Sequence, residues 1–326
     1  MSRRFARGFL YALALAGSIV FSTPAAAVLS CTFTITNEAF GTVDLTANTT
    51  FDTTATFSAN CTGGTANSTA RVCPNIGSGT GGATTNGTIR LMLSGANQVS
   101  YNLYQDAART TIWGSYLWAW PAVTPPTVDI ALNASGAGST TRTIYARIFA
   151  GQQADPPAAY SSSFSTNHTA ISYAQSTAGN CATIGNTNAT QAPFTVTATH
   201  AAVCRIATTT VDFGTKGVLS AVTDVTGTIT PTCSATTPYT IALNGGNSGA
   251  IDPTQRKMAN GAVLITYGLY RDSARTLGWG STAGTNTVAG TGSGLGQALT
   301  VYGRVPVQTT PAPGTFTDTV IATVTY

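Results

Sequence analysis

The side chains with most chemistry to offer in this 326-residue chain are six cysteines (Cys31, Cys61, Cys73, Cys181, Cys204 and Cys233) and two histidines (His168 and His200). A structural zinc site draws on Cys-x-x-Cys pairs or on histidines at ligand spacing. The chain has neither pattern around its cysteines, so no metal and no cofactor is expected. Disulfide formation is the chemistry that suits an exported chain, with reduced thiols as the alternative. Cys31 and Cys61 lie 30 residues apart, and Cys204 and Cys233 lie 29 apart, which pairs each with its neighbour. Cys73 and Cys181 are left over. They are read as a third bond tying the segment after the first domain back to it, an assignment the sequence leaves open.

Catalysis finds little support. His168 and His200 sit in Thr/Ala-rich stretches without a partnered nucleophile, and neither Gly-x-Ser-x-Gly nor His-Glu-x-x-His occurs. The glycine-rich stretch from Gly77 to Gly82 lacks the lysine of a phosphate-binding loop and reads as a plain loop. Acidic residues are few and recur as structural pairs. Asp106 with Arg109, and Asp272 with Arg275, are expected to form surface ion pairs in turns. The chain is therefore expected not to be an enzyme.

The remaining candidates are aromatic. Tyr116, Leu117, Trp118, Trp120 and Pro121, followed by Pro125 and Pro126, form a dense apolar run. Prolines stiffen such a loop and lower the ordering cost of contact. Exposed, the run would hold an apolar surface by area burial, or would stack on sugar rings. The alternative is that it packs into the fold. Weaker candidates for the same surface are Val72, Pro74 and Ile76, and Pro156, Pro157 and Tyr160.

These residues are carried by a repeat. Cys31 and Phe40-Gly41 are spaced as Cys204 and Phe213-Gly214. Tyr101-Asn-Leu-Tyr-Gln-Asp106 with Trp113-Gly-Ser115 recurs as Tyr267-Gly-Leu-Tyr-Arg-Asp272 with Trp279-Gly-Ser281. Ile144-Tyr-Ala-Arg-Ile148 recurs as Val301-Tyr-Gly-Arg-Val305. Trp113, Trp279, Tyr104 and Tyr270 stand in both copies and are expected to anchor cores or turns. The Trp118 run is an insertion in the first copy alone. Strand patterns at 88–93, 99–104, 142–149, 239–243, 264–270, 298–305 and 319–326 alternate with Gly/Asn/Ser/Thr/Pro turns, and no long segment keeps a helical period. The prediction is all-β: two immunoglobulin-like sandwich domains in tandem, the C-terminal one lacking a strand.

Residues 1–27 read as an export leader, with Arg3, Arg4 and Arg7 before an apolar run and Ala25-Ala26-Ala27 at the cleavage position. The formal charge is +4, and removing a leader with three arginines and no acid leaves +1. No basic surface argues for nucleic acid. Charged residues make up 8% of the chain, against roughly 25% in ordinary soluble proteins, so the exposed strand faces are expected to be hydroxylated rather than ionic. The expected division is 28–180 for the first domain, 181–192 for a linker and 193–326 for the second domain.

Cys-x8-Phe-Gly, the second cysteine about 30 residues on, Tyr-x-Leu-Tyr-x-Asp with Trp-Gly-Ser, and a C-terminal strand ending in tyrosine resemble the spore coat protein U domain, twice over. The resemblance extends to the two-domain tip adhesins of archaic, Csu-type chaperone–usher pili. It implies a sandwich whose open groove is filled by a donated strand, first from a periplasmic chaperone and then, at an outer-membrane usher, from the next pilin subunit.

Within that resemblance the copies differ at the front. Only Val28, Leu29 and Ser30 would precede Cys31 after cleavage, about 10 Å of extended chain and too short to complete a groove. A subunit that accepts a strand without donating one would end a filament, so the expectation is a pilus tip adhesin. It would be exported through the periplasm to the cell surface and would attach cells to abiotic or host surfaces in biofilm formation. A lectin-like tip subunit and a structural secreted coat protein are the alternatives. Phe194, Val196 and Ala198 head a donor-like alternating segment, 193–203, expected to complete the first domain in cis, with the first strand of the second domain as the other reading. His200 departs from its apolar pattern. The groove of the second domain is expected to be bordered by residues 319–326.

Overall fold

The computed structural model describes Met1 and residues 28–84, 87–117, 123–175, 179–185 and 187–326. Residues 2–27 of the expected leader, and Trp118, Trp120 and Pro121, lie outside the described residues. Threonine- and valine-rich alternation, punctuated by glycine turns, gives strands almost throughout, because β-branched side chains fit a pleated, half-buried surface.

The first unit contains β1 (Ser30–Ile35), β2 (Glu38–Val43), β3 (Phe51–Thr62), β4 (Thr69–Pro74), β5 (Arg90–Ser94), β6 (Asn97–Tyr104), β7 (Val128–Ala131), β8 (Gly138–Ile148), β9 (Ala158–Phe164), β10 (Ala170–Ala174), β11 (Thr190–Gln191) and β12 (Phe194–His200). The second contains β13 (Cys204–Thr208), β14 (Thr223–Cys233), β15 (Pro238–Leu243), β16 (Arg256–Asn260), β17 (Val263–Tyr270), β18 (Val288–Thr291), β19 (Leu299–Val305) and β20 (Ala322–Thr325).

One sheet of the first unit runs β1-β3-β8-β6-β5-β9-β12-β2, and the other runs β11-β10-β4-β7. The second unit repeats the plan in shorter form, with β13-β14-β19-β17-β16 over β18-β15-β20. Each unit is thus a two-sheet sandwich around its own core. Phe57, Ile144, Leu103 and Trp113 lie in the first core, and Ile229, Val301, Leu269 and Trp279 in the second.

The three disulfides are Cys31–Cys61, Cys204–Cys233 and Cys73–Cys181. The first two join the same strand pair in each unit, β1 to β3 and β13 to β14.

Two boundaries read from the sequence need correction. Residues 181–192 are not a free linker. Cys181 and Ile184 are buried beside Cys73, and Thr190 and Gln191 pair with β10. The disulfide expected between Cys73 and Cys181, together with a short ladder, binds them to the first unit. The C-terminal strand is also split. Ala322–Thr325 crosses to pair with β15, while Thr317 bridges Ala259 in the opposite sheet.

The turn aspartates and arginines also behave differently from the expected pairs. Asp106 and Asp272 accept backbone N–H groups within their own turns, from Thr110 and Thr111 and from Thr276 and Leu277. Arg109 and Arg275 reach away instead, to Asp52 and Asp224, each at 3.3 Å, and lie over the rings of Tyr145 and Tyr302. A short aspartate satisfies turn donors at lower entropic cost than a long arginine bridge would.

Candidate functional site

β12 lies inside the large sheet of the first unit, between β9 and the edge strand β2. It is antiparallel to β9 in an unbroken register from Phe194–Phe164 to His200–Ala158, and parallel to β2 on its other side. Alternation then decides what is buried: Phe194, Val196, Ala198 and His200 point inward, and Thr195, Thr197 and Thr199 alternate with them on the outer face. Phe194 stacks on Phe164 with centroids 4.4 Å apart. The donor-like segment of the sequence is therefore a core strand of the first unit, and the second unit begins at β13.

The same slot in the second unit is open. Counting from Cys31 and Cys204, Glu38 corresponds to Val211 and Val43 to Lys216. The bridges Leu93–Ser161 and Ala259–Thr317 are equivalent, so Tyr160, Ser162 and Phe164 correspond to Phe316, Asp318 and Val320. Between these two borders runs a groove made of two adjoining clefts of about 620 and 520 Å³. Its floor is Met258, Ile265, Tyr267, Leu269 and Val301. Met92, Tyr160 and Phe164 are sealed in the first unit, whereas Met258, Phe316 and Val320 are only half-buried in the second. One border is residues 314–320 rather than the whole expected strand 319–326, because β20 has left for the other sheet.

Each slot is braced by a buried arginine that the sequence reading missed. Arg90 donates to the carbonyls of Gly77, Ile76 and Trp113 at 2.7, 2.8 and 2.6 Å and to Asn102 Oδ1 at 3.0 Å. Arg256 donates to the carbonyls of Asn244, Pro253 and Trp279 at 2.9, 2.7 and 2.8 Å. Burial pulls the Arg90 guanidinium down to about 9, still cationic at neutral pH. Trp113 and Trp279, each 1% exposed, close the network by donating from Nε1 to the carbonyls of Pro74 and Ile241. The signal was present as Arg-x-Met, recurring at Arg90–Met92 and Arg256–Met258.

Glu38 is the polar exception in the first slot. It is fully buried opposite Val196, and neither carboxyl oxygen has a hydrogen-bond partner. Desolvation pushes its pKa up to about 8, against the opposing pull of Arg90 and Arg109, so it is mostly protonated at neutral pH. His200 is also buried, with Nδ1 3.1 Å from the carbonyl of Val43.

Of the apolar run, Tyr116 is exposed and Leu117 half-buried. The ends of the loop are pinned together: Gly114 and Ser115 donate to the carbonyls of Thr124 and Val123. Gly114 is needed there, since a Cβ would strike Val123. Asn75 accepts from the N–H of Tyr116 and donates to the carbonyl of Cys73, which sets the loop beside the Cys73–Cys181 bond. Val72, Pro74, Ile76 and Tyr160, the weaker surface candidates, are buried and belong to the core and to the wall of the slot. Their strands alternate inward, and a cysteine neighbour marked packing rather than exposure. Among the described residues no cluster of His, Cys, Asp or Glu could hold a metal ion.

The model of the Spore Coat Protein U domain matches residues 18–167 and 190–323. Protein U of Myxococcus xanthus is 36% identical over 107 residues, 31% of this chain, and the match spans 59% of that relative's length. Among solved structures, the CsuC–CsuE chaperone–tip adhesion subunit pre-assembly complex from archaic Csu pili of Acinetobacter baumannii aligns over 91% of this chain and 100% of that one. Its TM-score is 0.53 at 17% identity, a likeness of fold. The CupB6 tip adhesin of Pseudomonas aeruginosa aligns over 91% and 94% of the two chains with a TM-score of 0.35 at 12% identity.

Proposed function

The chain belongs to the Spore Coat Protein U domain family, and from that premise we propose that it is a two-domain tip subunit of a chaperone–usher pilus. One observation carries the reading: β12 fills the first unit's slot from within the chain, while the equivalent slot of the second unit is open between residues 209–216 and 314–320. A completed sandwich is free to act at the surface. An open one needs a strand from elsewhere, because the half-buried Met258, Phe316 and Val320 and the open edge between its borders invite strand addition. A periplasmic chaperone would supply that strand first. At an outer-membrane usher, the extension of the next pilin subunit would then replace it.

In this reading the first unit adheres. The 116–122 loop, held at both ends and carrying Tyr116, Leu117, Trp118, Trp120 and Pro121, is the proposed contact with abiotic or host surfaces in biofilm formation. Each large side chain buried on contact contributes about 1.5–3 kcal/mol, and many pili multiply the effect.

Two measurements test this. The full chain should purify from the periplasm in a one-to-one complex with a pilus chaperone; secretion as a free, stable monomer would point instead to a coat protein. The double variant Trp118→Ala/Trp120→Ala should lower attachment of piliated cells with pilus number unchanged. Unchanged attachment at normal piliation rejects the loop, and loss of attachment on competition with free sugar favours a glycan target.

A further inference from the structure

The two slots hold an acid in the same layer but on opposite walls. In the first unit Val196 of β12 lies between Glu38 of β2 and Ser162 of β9. The equivalent border residues of the second unit are Val211 and Asp318, so the acid has changed sides. The layer also contains Arg90 paired with Tyr101 in one unit and Arg256 paired with Tyr267 in the other. What differs is how each acid is engaged. The Glu38 carboxyl is sealed under β12 without a hydrogen-bond partner. The Asp318 carboxylate accepts from Tyr267 Oη at 2.6 Å, from the N–H of Asn247 at 2.7 Å and from that of Thr319 at 2.8 Å. The neighbouring loop is shaped to it: Gly246 has φ +70°, and a Cβ there would strike the carboxylate.

The wall that carries Asp318 needs such support. Residues 315–320 alternate as a strand does, with Phe316, Asp318 and Val320 half-buried and Thr315, Thr317 and Thr319 exposed. Among the described residues their ladder is a single bridge, from Thr317 to Ala259. The equivalent strand β9 has its bridge to Leu93 and a register partner on β12 for every residue from Ala158 to Phe164. Ser162, at the position of Asp318, accepts from the N–H of Gly81 at 3.2 Å. A ladder holds β9 extended from its far side, and the open slot offers 315–320 no such ladder. Asn244 completes the grip on the second wall, its Oδ1 accepting from the N–H groups of Ile321 and Gly246 at 2.9 and 3.1 Å.

We infer that Asp318 is the positioning residue of the acceptor groove: through Tyr267, Asn247 and Thr319 it holds the wall 315–320 extended while the slot is empty, so that an incoming strand meets a finished edge. The inference rests on the acceptor reading above. It gives the change of sides a physical reason. A slot filled by its own chain during folding has a ladder to fix its wall, whereas a slot filled later needs its wall fixed in advance.

The test uses the full chain, its Asp318→Ser and Asp318→Asn variants, and a fluorescent peptide covering residues 192–203 as the strand. Anisotropy gives association and dissociation rates, and hydrogen exchange read by mass spectrometry follows the amides of 315–320 in the free chain. Asp318→Ser should slow association about tenfold and leave dissociation unchanged, because a wall that is competent about a tenth of the time weakens binding by that fraction. Exchange at Thr317 should quicken by the same factor, with β14 and β19 protected as in the parent. Asp318→Asn keeps an oxygen for both N–H donors and an amide for the Tyr267 oxygen, so it should restore both readouts. An unchanged association rate, a change confined to dissociation, or faster exchange spread over the whole second unit overturns the positioning role and leaves the acceptor groove standing. Binding of the peptide to none of the chains, the parent included, removes the acceptor reading and this inference with it.

Discussion

The ring of Phe194 lies flat on that of Phe164, with centroids 4.4 Å apart and planes 10° from parallel. The two residues are 30 positions apart in sequence and opposite each other in register. They mark where a segment leading into the second unit becomes part of the first. Phe194→Ala should destabilise the first unit by about 3–5 kcal/mol, the range for emptying a buried aromatic site. Urea unfolding of the full chain would measure this as a shift of the first-unit transition, with the second-unit transition unmoved. An unshifted first transition would mean that β12 is not integral to that core.

Glu38 predicts a pH dependence. Its folded pKa of about 8 lies above the unfolded value of 4.5, so between these limits the folded chain holds a proton that the unfolded chain has released. Stability contributed by this residue is therefore intact below pH 4.5 and falls as pH rises toward 8, by about a few kcal/mol. Glu38→Gln keeps the shape and removes the titration. The variant should gain on the parent at pH 8 and match it near pH 4.5, read from denaturation midpoints at both values. A constant difference across the range would contradict the assignment.

Cys73 and Cys181 close a loop of 108 residues. Replacing both with serine should cost about 2–5 kcal/mol, mainly by releasing the unfolded chain. Because Asn75 and Tyr116 meet beside this bond, the variant should also expose the base of the 116–122 loop to proteolysis. Limited digestion followed by mass spectrometry would locate the new cuts.

Arg90→Met should destabilise the first unit by at least about 3 kcal/mol, since it strips donors from the buried carbonyls of Ile76, Gly77 and Trp113. Arg256→Met should do the same to the second unit through Trp279 and Asn244. Calorimetry that resolves two transitions should show each variant moving a different one. A surface role for either arginine would leave both transitions in place.

Much of the architecture was legible in the chain because its signals are local. Period-two alternation, glycine turns and a repeated cysteine spacing are set within a few residues by backbone sterics and side-chain burial, so two tandem sandwiches and their β1–β3 and β13–β14 disulfides could be read directly. The Phe194 alternation showed a strand with one apolar face. Alternation says which face is buried and nothing about the surface it is buried against, so the choice between the two units belonged to the tertiary structure. It was decided by the register with β9 and by the ring of Phe164 waiting there. The same holds for Arg90 and Glu38. Their charge reads as surface in any sequence, and only the packed fold brings carbonyls to one and withholds partners from the other. The leftover cysteines already suggested that 181–192 is tied to Cys73, but its short ladder with β10 and the burial of Ile184 came only with the packed fold. Local periodicity determined the elements; long-range burial decided their partners, because the free energy of a partner depends on what else has already folded around it.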